Sequence, residues 1–356
     1  MISWLGIFNA EAPPVDVVVS RSTDGGLTWG APVVVNASGD FNDKNWTVCD
    51  TTSSSPFYGN CYTEFDSVNL NDQELMSTST NGGKTWGAAK SPSSTPQGLG
   101  GQPLVRPNGT VVVPFEDLNG TISAFTSTNG GSSWNAPVTV ATIDTANDGG
   151  SMRTSPLPSA EIDGSGKVYV AWQDCRFEKN CSANDIVYST SSDGTHWSAV
   201  QRVASDPVNS GIDHFIPGFA VDKSTSGSSA HLAVTYYYFP IANCGSNCTL
   251  DVGYSSSTDG GAHWTANTQL AGPMQTTWLA NTTQGRMVGD YISTSISSDG
   301  RAHPVFAVAK KPLGTTFNEA MYTVTGGLPV IVGTNTSSTV VVGSGHAPAL
   351  SRHTAL

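Results

Sequence analysis

The chain has 356 residues, only 12% of them charged, with a formal net charge of −12 and a sequence pI near 4.8. It lacks the clustered cations that phosphate backbones and anionic membranes require, which excludes nucleic acid as a partner, and no apolar run approaches the ~20 residues of a spanning helix. Gly, Ser, Thr, Asn and Pro crowd between short apolar runs without a convincing amphipathic helix, so the composition points to a loop-rich, all-β chain.

The opening Met1–Phe8 is apolar, but it has neither a basic n-region nor a small-residue cleavage site and does not read as a signal peptide. Ile2–Phe8 reads instead as the incomplete front half of a first β unit. A strand over Val15–Ser20 then leads into Ser20-Arg-Ser-Thr-Asp-Gly-Gly-Leu-Thr-Trp-Gly30 and a second run, Trp29–Val35.

The same arrangement recurs down the chain. Glu74–Thr78 precedes STNGGKTW at Ser79–Trp86, Thr121–Thr126 precedes STNGGSSW at Ser127–Trp134, and Leu250–Ser256 precedes STDGGAHW at Ser257–Trp264. Asp185–Thr190 precedes SSDGTHW at Ser191–Trp197, a copy one residue short. Trp29, Trp86, Trp134, Trp197 and Trp264 are spaced by one supersecondary unit of roughly fifty residues with variable loops. Each copy reads as a hairpin turn: Asp or Asn bonds the backbone ahead of it, Gly accepts positive φ, and the Trp folds back over its own strand pair as a local core.

A second hairpin is readable upstream of each turn, as in Pro103–Phe115 and Ser159–Trp172. Four antiparallel strands per repeat make the blade of a β-propeller. The units end near residues 37, 91, 140, 204 and 271, and a sixth runs from Asp290, with strands over Tyr291–Ser297, Ala302–Ala309 and Glu319–Val324. The expected fold is an all-β, six-bladed propeller forming one domain over residues 1–356. A late strand within 329–343, such as Thr339–Gly343, is expected to return and complete the first blade, removing an exposed sheet edge.

The six cysteines fall into three close pairs, Cys49 with Cys61, Cys175 with Cys181, and Cys244 with Cys248, which reads as local disulfide stapling in an oxidising compartment. Eight Asn-x-Ser/Thr sequons begin at Asn36, Asn45, Asn108, Asn119, Asn180, Asn247, Asn281 and Asn335. They are compatible with an extracellular or cell-surface glycoprotein. His214 and His231 have no partner at metal-ligand spacing, and no zinc or calcium signature is present, so no metal and no cofactor are expected.

The repeated S-x-D-x-G-x-T-W element resembles the Asp-box, or bacterial neuraminidase repeat, of sialidase-like six-bladed propellers, and the resemblance covers nearly the whole chain. It implies that Asp24, Asn81, Asn129, Asp193 and Asp259 are structural, on the rim opposite an active site. It also implies a site built from three arginines that bind a substrate carboxylate, a tyrosine nucleophile activated by a glutamate, and an Asp acid/base. Guanidinium forks match carboxylate geometry, and a neutral phenol avoids repulsion from an anionic sugar at the reacting carbon.

Asp290–Arg301 is similar to the sialidase segment in which the tyrosine opens a strand, which makes Tyr291 the nucleophile candidate. Asp43, beside the aromatic platform Trp46, is the acid/base candidate. Arg153, Arg286, Arg176, Asp174, Asp290 and Trp46 are the substrate-binding candidates. Asp174 and Arg176 read equally as a salt-bridged loop. At most two of Tyr236–Tyr238 can line an opening, because alternate strand residues face opposite ways. The remaining mouth segments are Asn42–Trp46, Glu64–Asp66, Gly101–Gln102, Glu116–Asp117, Met152–Arg153, Gln173–Arg176, Asp213–Ile216 and Arg286–Tyr291. Two departures from the family pattern stand out: the F/Y-R-I-P motif of the first arginine is absent, and Arg153 lies near where a sialidase offers its glutamate.

The function expected is a secreted, sialidase-like glycosidase acting on terminal acidic sugars of glycans. Its alternative is a non-catalytic extracellular propeller for glycan binding, adhesion or structural assembly, including assembly as a homo-oligomer. A polysaccharide lyase using Lys44, His214 or Tyr291 is a third reading.

Overall fold

The computed structural model describes residues 1–7, 14–245 and 248–333, and the backbone of 350–352. Its regular elements are strands, apart from four single-turn 3-10 helices. Among the described residues no helix is long and apolar enough to cross a membrane. The chain packs as two compact units: the first takes 1–142 with 165–168 and 190–198, and the second takes 143–164, 169–189 and the described residues from 199 on.

The first unit holds three antiparallel sheets. Strands β1 (Ile2–Ile7), β2 (Val15–Ser20) and β3 (Val33–Asn36) form one, and β4 (Asn42–Cys49), β5 (Cys61–Ser67) and β6 (Gln73–Ser79) form the next. Bridges from Met76 to Lys90 and from Gln73 to Gln97 extend the outer edge of β6. In the third, β7 (Gly98–Leu99) and β8 (Leu104–Val105) both pair with β9 (Val111–Asp117), which is followed by β10 (Thr121–Ser127) and β11 (Val138–Thr142). Apolar faces of successive sheets meet: Val17, Val19 and Val35 pack with Phe65, and Tyr62 and Met76 pack with Val113, Phe115 and Phe125.

The second unit continues the plan. One sheet runs β12 (Ser159–Ile162), β13 (Val168–Asp174), β14 (Asp185–Ser191), β15 (Gln201–Arg202); the next runs β16 (Asp213–Val221), β17 (Leu232–Phe239), β18 (Thr249–Ser257), β19 (Thr268–Gln275). A small hairpin of β20 (Ala280–Thr282) and β21 (Gly285–Met287) precedes the last sheet. There β22 (Ser293–Ile296), β23 (Arg301–Leu313) and β24 (Thr316–Val324) are joined by β25 (Leu328–Pro329) on β23 and β26 (Leu350–Arg352) on β24. Strand one of this sheet thus begins two residues after Tyr291. The expected strand Thr339–Gly343 lies outside the described residues.

The repeated turns share one hydrogen-bond circuit. Ser22 Oγ donates to Asp24 Oδ1 at 2.7 Å and accepts from Gly26 N at 2.8 Å, while Thr28 N donates to Asp24 Oδ1 at 3.0 Å. Ser79–Asn81–Gly83–Thr85, Ser127–Asn129–Gly131–Ser133 and Ser257–Asp259–Gly261–His263 repeat it. The short copy closes a residue earlier, with Gly194 N on Ser191 Oγ and His196 N on Asp193 Oδ1, both at 2.8 Å. The glycine is required: Gly25 and Gly26 sit at φ +74 and +89, a region other residues enter only with strain.

The tryptophans differ from the expectation that each covers its own hairpin. Trp264 is 1% exposed and wedges against Tyr188 of β14 and Phe219 of β16, so it joins two sheets. Trp134 likewise meets Tyr62 of β5 and Phe125 of β10 edge-on. Trp29 is 48% exposed. In the tyrosine run Tyr236–Tyr238 all three rings are buried. Tyr237 Oη exchanges hydrogen bonds with the Ala307 backbone of β23, so that side chain binds sheet to sheet.

The three cysteine pairs form the disulfides Cys49–Cys61, Cys175–Cys181 and Cys244–Cys248, which suits an oxidising environment. The Asn45 side-chain amide nitrogen is buried, which leaves that sequon no room for a glycan.

Candidate functional site

In the first unit, the antiparallel register sets acidic side chains side by side. Asp43 of β4 stands opposite Asp66 of β5, and Asp66 stands opposite Glu74 of β6. In the adjacent row Trp46 faces Glu64, which faces Met76. A β-bulge separates the rows on β4, with Lys44 at φ +52. Bulges re-aim a side chain, and here Lys44 Nζ comes 3.9 Å from Asp43 Oδ2 with its side chain only 8% exposed.

Two close approaches complete the floor. The Glu64 carboxyl packs on Gly101, where a Cβ would stand 2.5 Å from Glu64 Cδ. Gly98 of β7 lies on β9, where a Cβ would stand 2.6 Å from the Glu116 carbonyl oxygen and 2.2 Å from the Phe115 ring. Glu64, Asp66 and Glu74 are fully buried; Asp43, Trp46 and Glu116 are partly exposed.

Burial without compensating cations favours the neutral acid. Burial pushes Asp66 up to about 8, assisted by the negative charges of Asp43 and Asp72, while Lys44 opposes the rise. Glu74 is pushed up to about 8 by burial, and Glu64 is raised well above the carboxylate range by burial and by Glu74. The charge of Glu74 adds to the rise of Glu64, since two adjacent buried carboxyls resist ionising together. Glu116 is pushed up to about 7 by burial, with Lys44 pulling the other way. The cluster therefore stores protons near neutrality; Asp43 and Trp46 are partly exposed beside it on β4, and Glu116 is partly exposed on β9.

The second unit contains five of the expected binding residues, Arg153, Asp174, Arg176, Arg286 and Asp290, together with Tyr291. Arg153 N donates to Arg286 O at 2.8 Å, and the Arg153 guanidinium pairs with Asp290 at 2.7 Å, beside Tyr291. The Tyr291 hydroxyl is itself buried. Arg286 Nη1 donates to the Thr276 carbonyl at 3.2 Å. Asp174 is fully buried and grips Arg176 through Nε and Nη2, both at 2.7 Å, while accepting from Trp172 Nε1. This is the salt-bridged loop arrangement, next to the Cys175–Cys181 disulfide. Each candidate arginine is thus already engaged by a protein acceptor.

A further polar group in this unit joins Asp213 and Gln173 of the expected mouth segments to Asp148 and Asn184, which the sequence did not single out. Asn184 Nδ2 donates to Asp148 Oδ1 at 2.7 Å and to Asp213 Oδ1 at 3.0 Å. Gln173 Nε2 also donates to Asp148. Asp148, in the loop before β12, carried no motif. In the first unit Glu74 carries no motif either, whereas Glu64 and Asp66 give a usable signal: charges two residues apart, hence on one face of the strand.

No model of a protein family matches the sequence, and no curated protein sequence matches it. By structure the chain is similar to the NanB sialidase of Streptococcus pneumoniae, at 11% identity and TM-score 0.51, over 85% of this chain and 61% of that one. The chain therefore spans less than two thirds of NanB. It is also similar to a protein of unknown function from Dyadobacter fermentans (13% identity, TM-score 0.49, 81% of this chain and 79% of that one). A GH93 α-L-arabinofuranosidase of Fusarium graminearum is similar at 15% identity and TM-score 0.47, over 81% of this chain and 82% of that one. The likeness to NanB gives the fold class: an all-β, six-bladed propeller of four-stranded antiparallel blades with Asp-box hairpins.

Proposed function

We propose that the chain is a secreted glycoside hydrolase of the sialidase-propeller kind, acting on glycans through the carboxyl cluster of its first unit. The observation that carries this reading is Glu116: a partly exposed residue whose carboxyl is pushed up to about 7 by burial and feels the charge of Lys44, the neighbour of Asp43 in β4. A carboxylic acid that keeps its proton near neutrality can protonate a departing glycosidic oxygen. A second carboxylate, Asp43, then serves the developing positive charge at the anomeric carbon or the attacking water. Trp46 offers the apolar face on which a sugar ring stacks.

The acidic-sugar form of this reading, with Tyr291 as nucleophile, has less support. It needs guanidinium groups for the substrate carboxylate, and Arg153, Arg286 and Arg176 are held by Asp290, Thr276 and Asp174. The same facts favour the second reading, an extracellular propeller that binds glycans without cleaving them.

Turnover of a panel of fluorogenic sialosides, uronides and neutral glycosides separates these. Cleavage of any member, lost in Glu116→Gln with the fold intact, supports the hydrolase. Loss in Tyr291→Phe but not in Glu116→Gln moves the chemistry to Tyr291. Failure of the folded protein to cleave any member sinks the hydrolase reading and leaves binding.

A further inference from the structure

We propose that His214, Asp185 and Asp206 hold one divalent transition-metal ion in the second unit, between β14, the loop after β15 and the start of β16. One donor atom from each of the three lies within 4.8 Å of the others. Residues 185, 206 and 214 form no local motif; strand pairing brings them together.

The histidine is oriented as a ligand. His214 is 2% exposed, and its Nδ1 lies 3.2 Å from the Asn184 carbonyl oxygen. A carbonyl only accepts, so Nδ1 carries the proton and Nε2 carries the lone pair. Nε2 is buried and has no hydrogen-bond partner among the described residues. A metal-bound histidine characteristically donates its other N–H to a backbone carbonyl in this way. The rings of Tyr236 and Tyr238, with centroids 5.1 and 6.0 Å away, fix the imidazole plane.

The carboxylates are divided in function by Arg202. Its Nη2 bonds Asp185 Oδ1 at 2.7 Å and also bonds Asp206 Oδ1. The second oxygen of each, Oδ2, is buried without a hydrogen-bond partner among the described residues. Two carboxylates against one guanidinium leave a net negative charge in a site of low polarity, which favours a cation. One imidazole nitrogen and two carboxylate oxygens suit zinc, cobalt or manganese better than calcium or magnesium, which take oxygen ligands only. Binding at about 2.0–2.2 Å draws the donors inward by roughly 1 Å, within reach of small rotations about Cα–Cβ. Arg202 then serves as the outer partner that orients both carboxylates. The proposal is independent of the hydrolase reading.

The test uses the whole chain, stripped with a chelator, dialysed and titrated with zinc by calorimetry, with cobalt as a coordination probe read by its visible absorption. One equivalent of zinc bound, a raised thermal midpoint and new cobalt bands are expected. Asp206→Asn, which is isosteric, should weaken zinc binding by more than the about 10- to 100-fold that outer-shell changes cost, and should abolish the cobalt bands. His214→Gln should do the same. If the folded protein takes up neither zinc nor cobalt at millimolar concentration, the proposal is overturned. Equal uptake by the wild type and Asp206→Asn, with circular dichroism unchanged, also overturns it, because the ion then sits elsewhere.

Discussion

Asp66 stands directly opposite Glu74 across β5 and β6, and both side chains are fully buried. Like charges in that position destabilise a sheet, so the pair persists because the folded chain keeps protons there. Burial pushes both groups up to about 8, whereas in the unfolded chain they titrate near about 4. Between those values the folded state binds more protons than the unfolded state, so stability must fall as pH rises. The thermal midpoint should decrease from about pH 5 to about pH 8, and Glu74→Gln should flatten that slope and stabilise the chain at the alkaline end. A midpoint that climbs over this range would contradict the protonated cluster.

Glu116 and Lys44 make a paired prediction. Replacing the acid by Gln should reduce kcat by about 10²- to 10⁴-fold, the usual worth of a positioned proton donor. Lys44 pulls Glu116 downward, so Lys44→Met should shift the alkaline limb of the pH–activity profile to higher pH. A shift in the opposite direction would show that Glu116 is not the acid being read.

Gly98→Ala tests how tightly β7 lies on β9. The added methyl would meet the Phe115 ring at 2.2 Å and the Glu116 carbonyl at 2.6 Å, and neither yields without moving a buried strand. A loss of about 1–3 kcal/mol, typical of overpacking, should appear in denaturant unfolding. An unchanged midpoint would mean that β7 swings away freely.

The two tryptophans of matching sequence context should behave differently. Trp264→Ala removes a ring buried between two sheets and should cost about 3–5 kcal/mol. Trp29→Ala changes a ring that is 48% exposed, and should stay within about 0.5 kcal/mol. Comparable losses at both positions would restore the picture in which every copy covers its own hairpin.

Much of the fold was legible in the sequence because its signals are local. Each Asp-box closes its own loop through residues two to four apart, so Ser22, Asp24 and Gly26 announce the turn without help from the rest of the chain. Strand placement followed from the same punctuation, and neighbouring cysteines found each other. The candidate site was less legible, because its chemistry depends on register. Nothing in the sequence near Glu74 says that it faces Asp66, and Asp148 acquires meaning through the amides of Asn184 and Gln173. Tyr237 read as a possible lining residue, but its hydroxyl is consumed by the backbone of another sheet. Arg153 pairs with Asp290 beside Tyr291, and the sequence offered no sign of that engagement.

The Cys49–Cys61 disulfide joins residues that are themselves register partners in β4 and β5. A covalent tie at that end forbids the strands from sliding past one another, and the bulge at Lys44 takes up the one permitted irregularity. The alignment of Asp43 with Asp66 at the far end is thereby locked from a distance, as a zip is held by its stop. Oxidation of this cysteine pair would then be a condition for assembling the acidic row correctly, well before any ligand arrives.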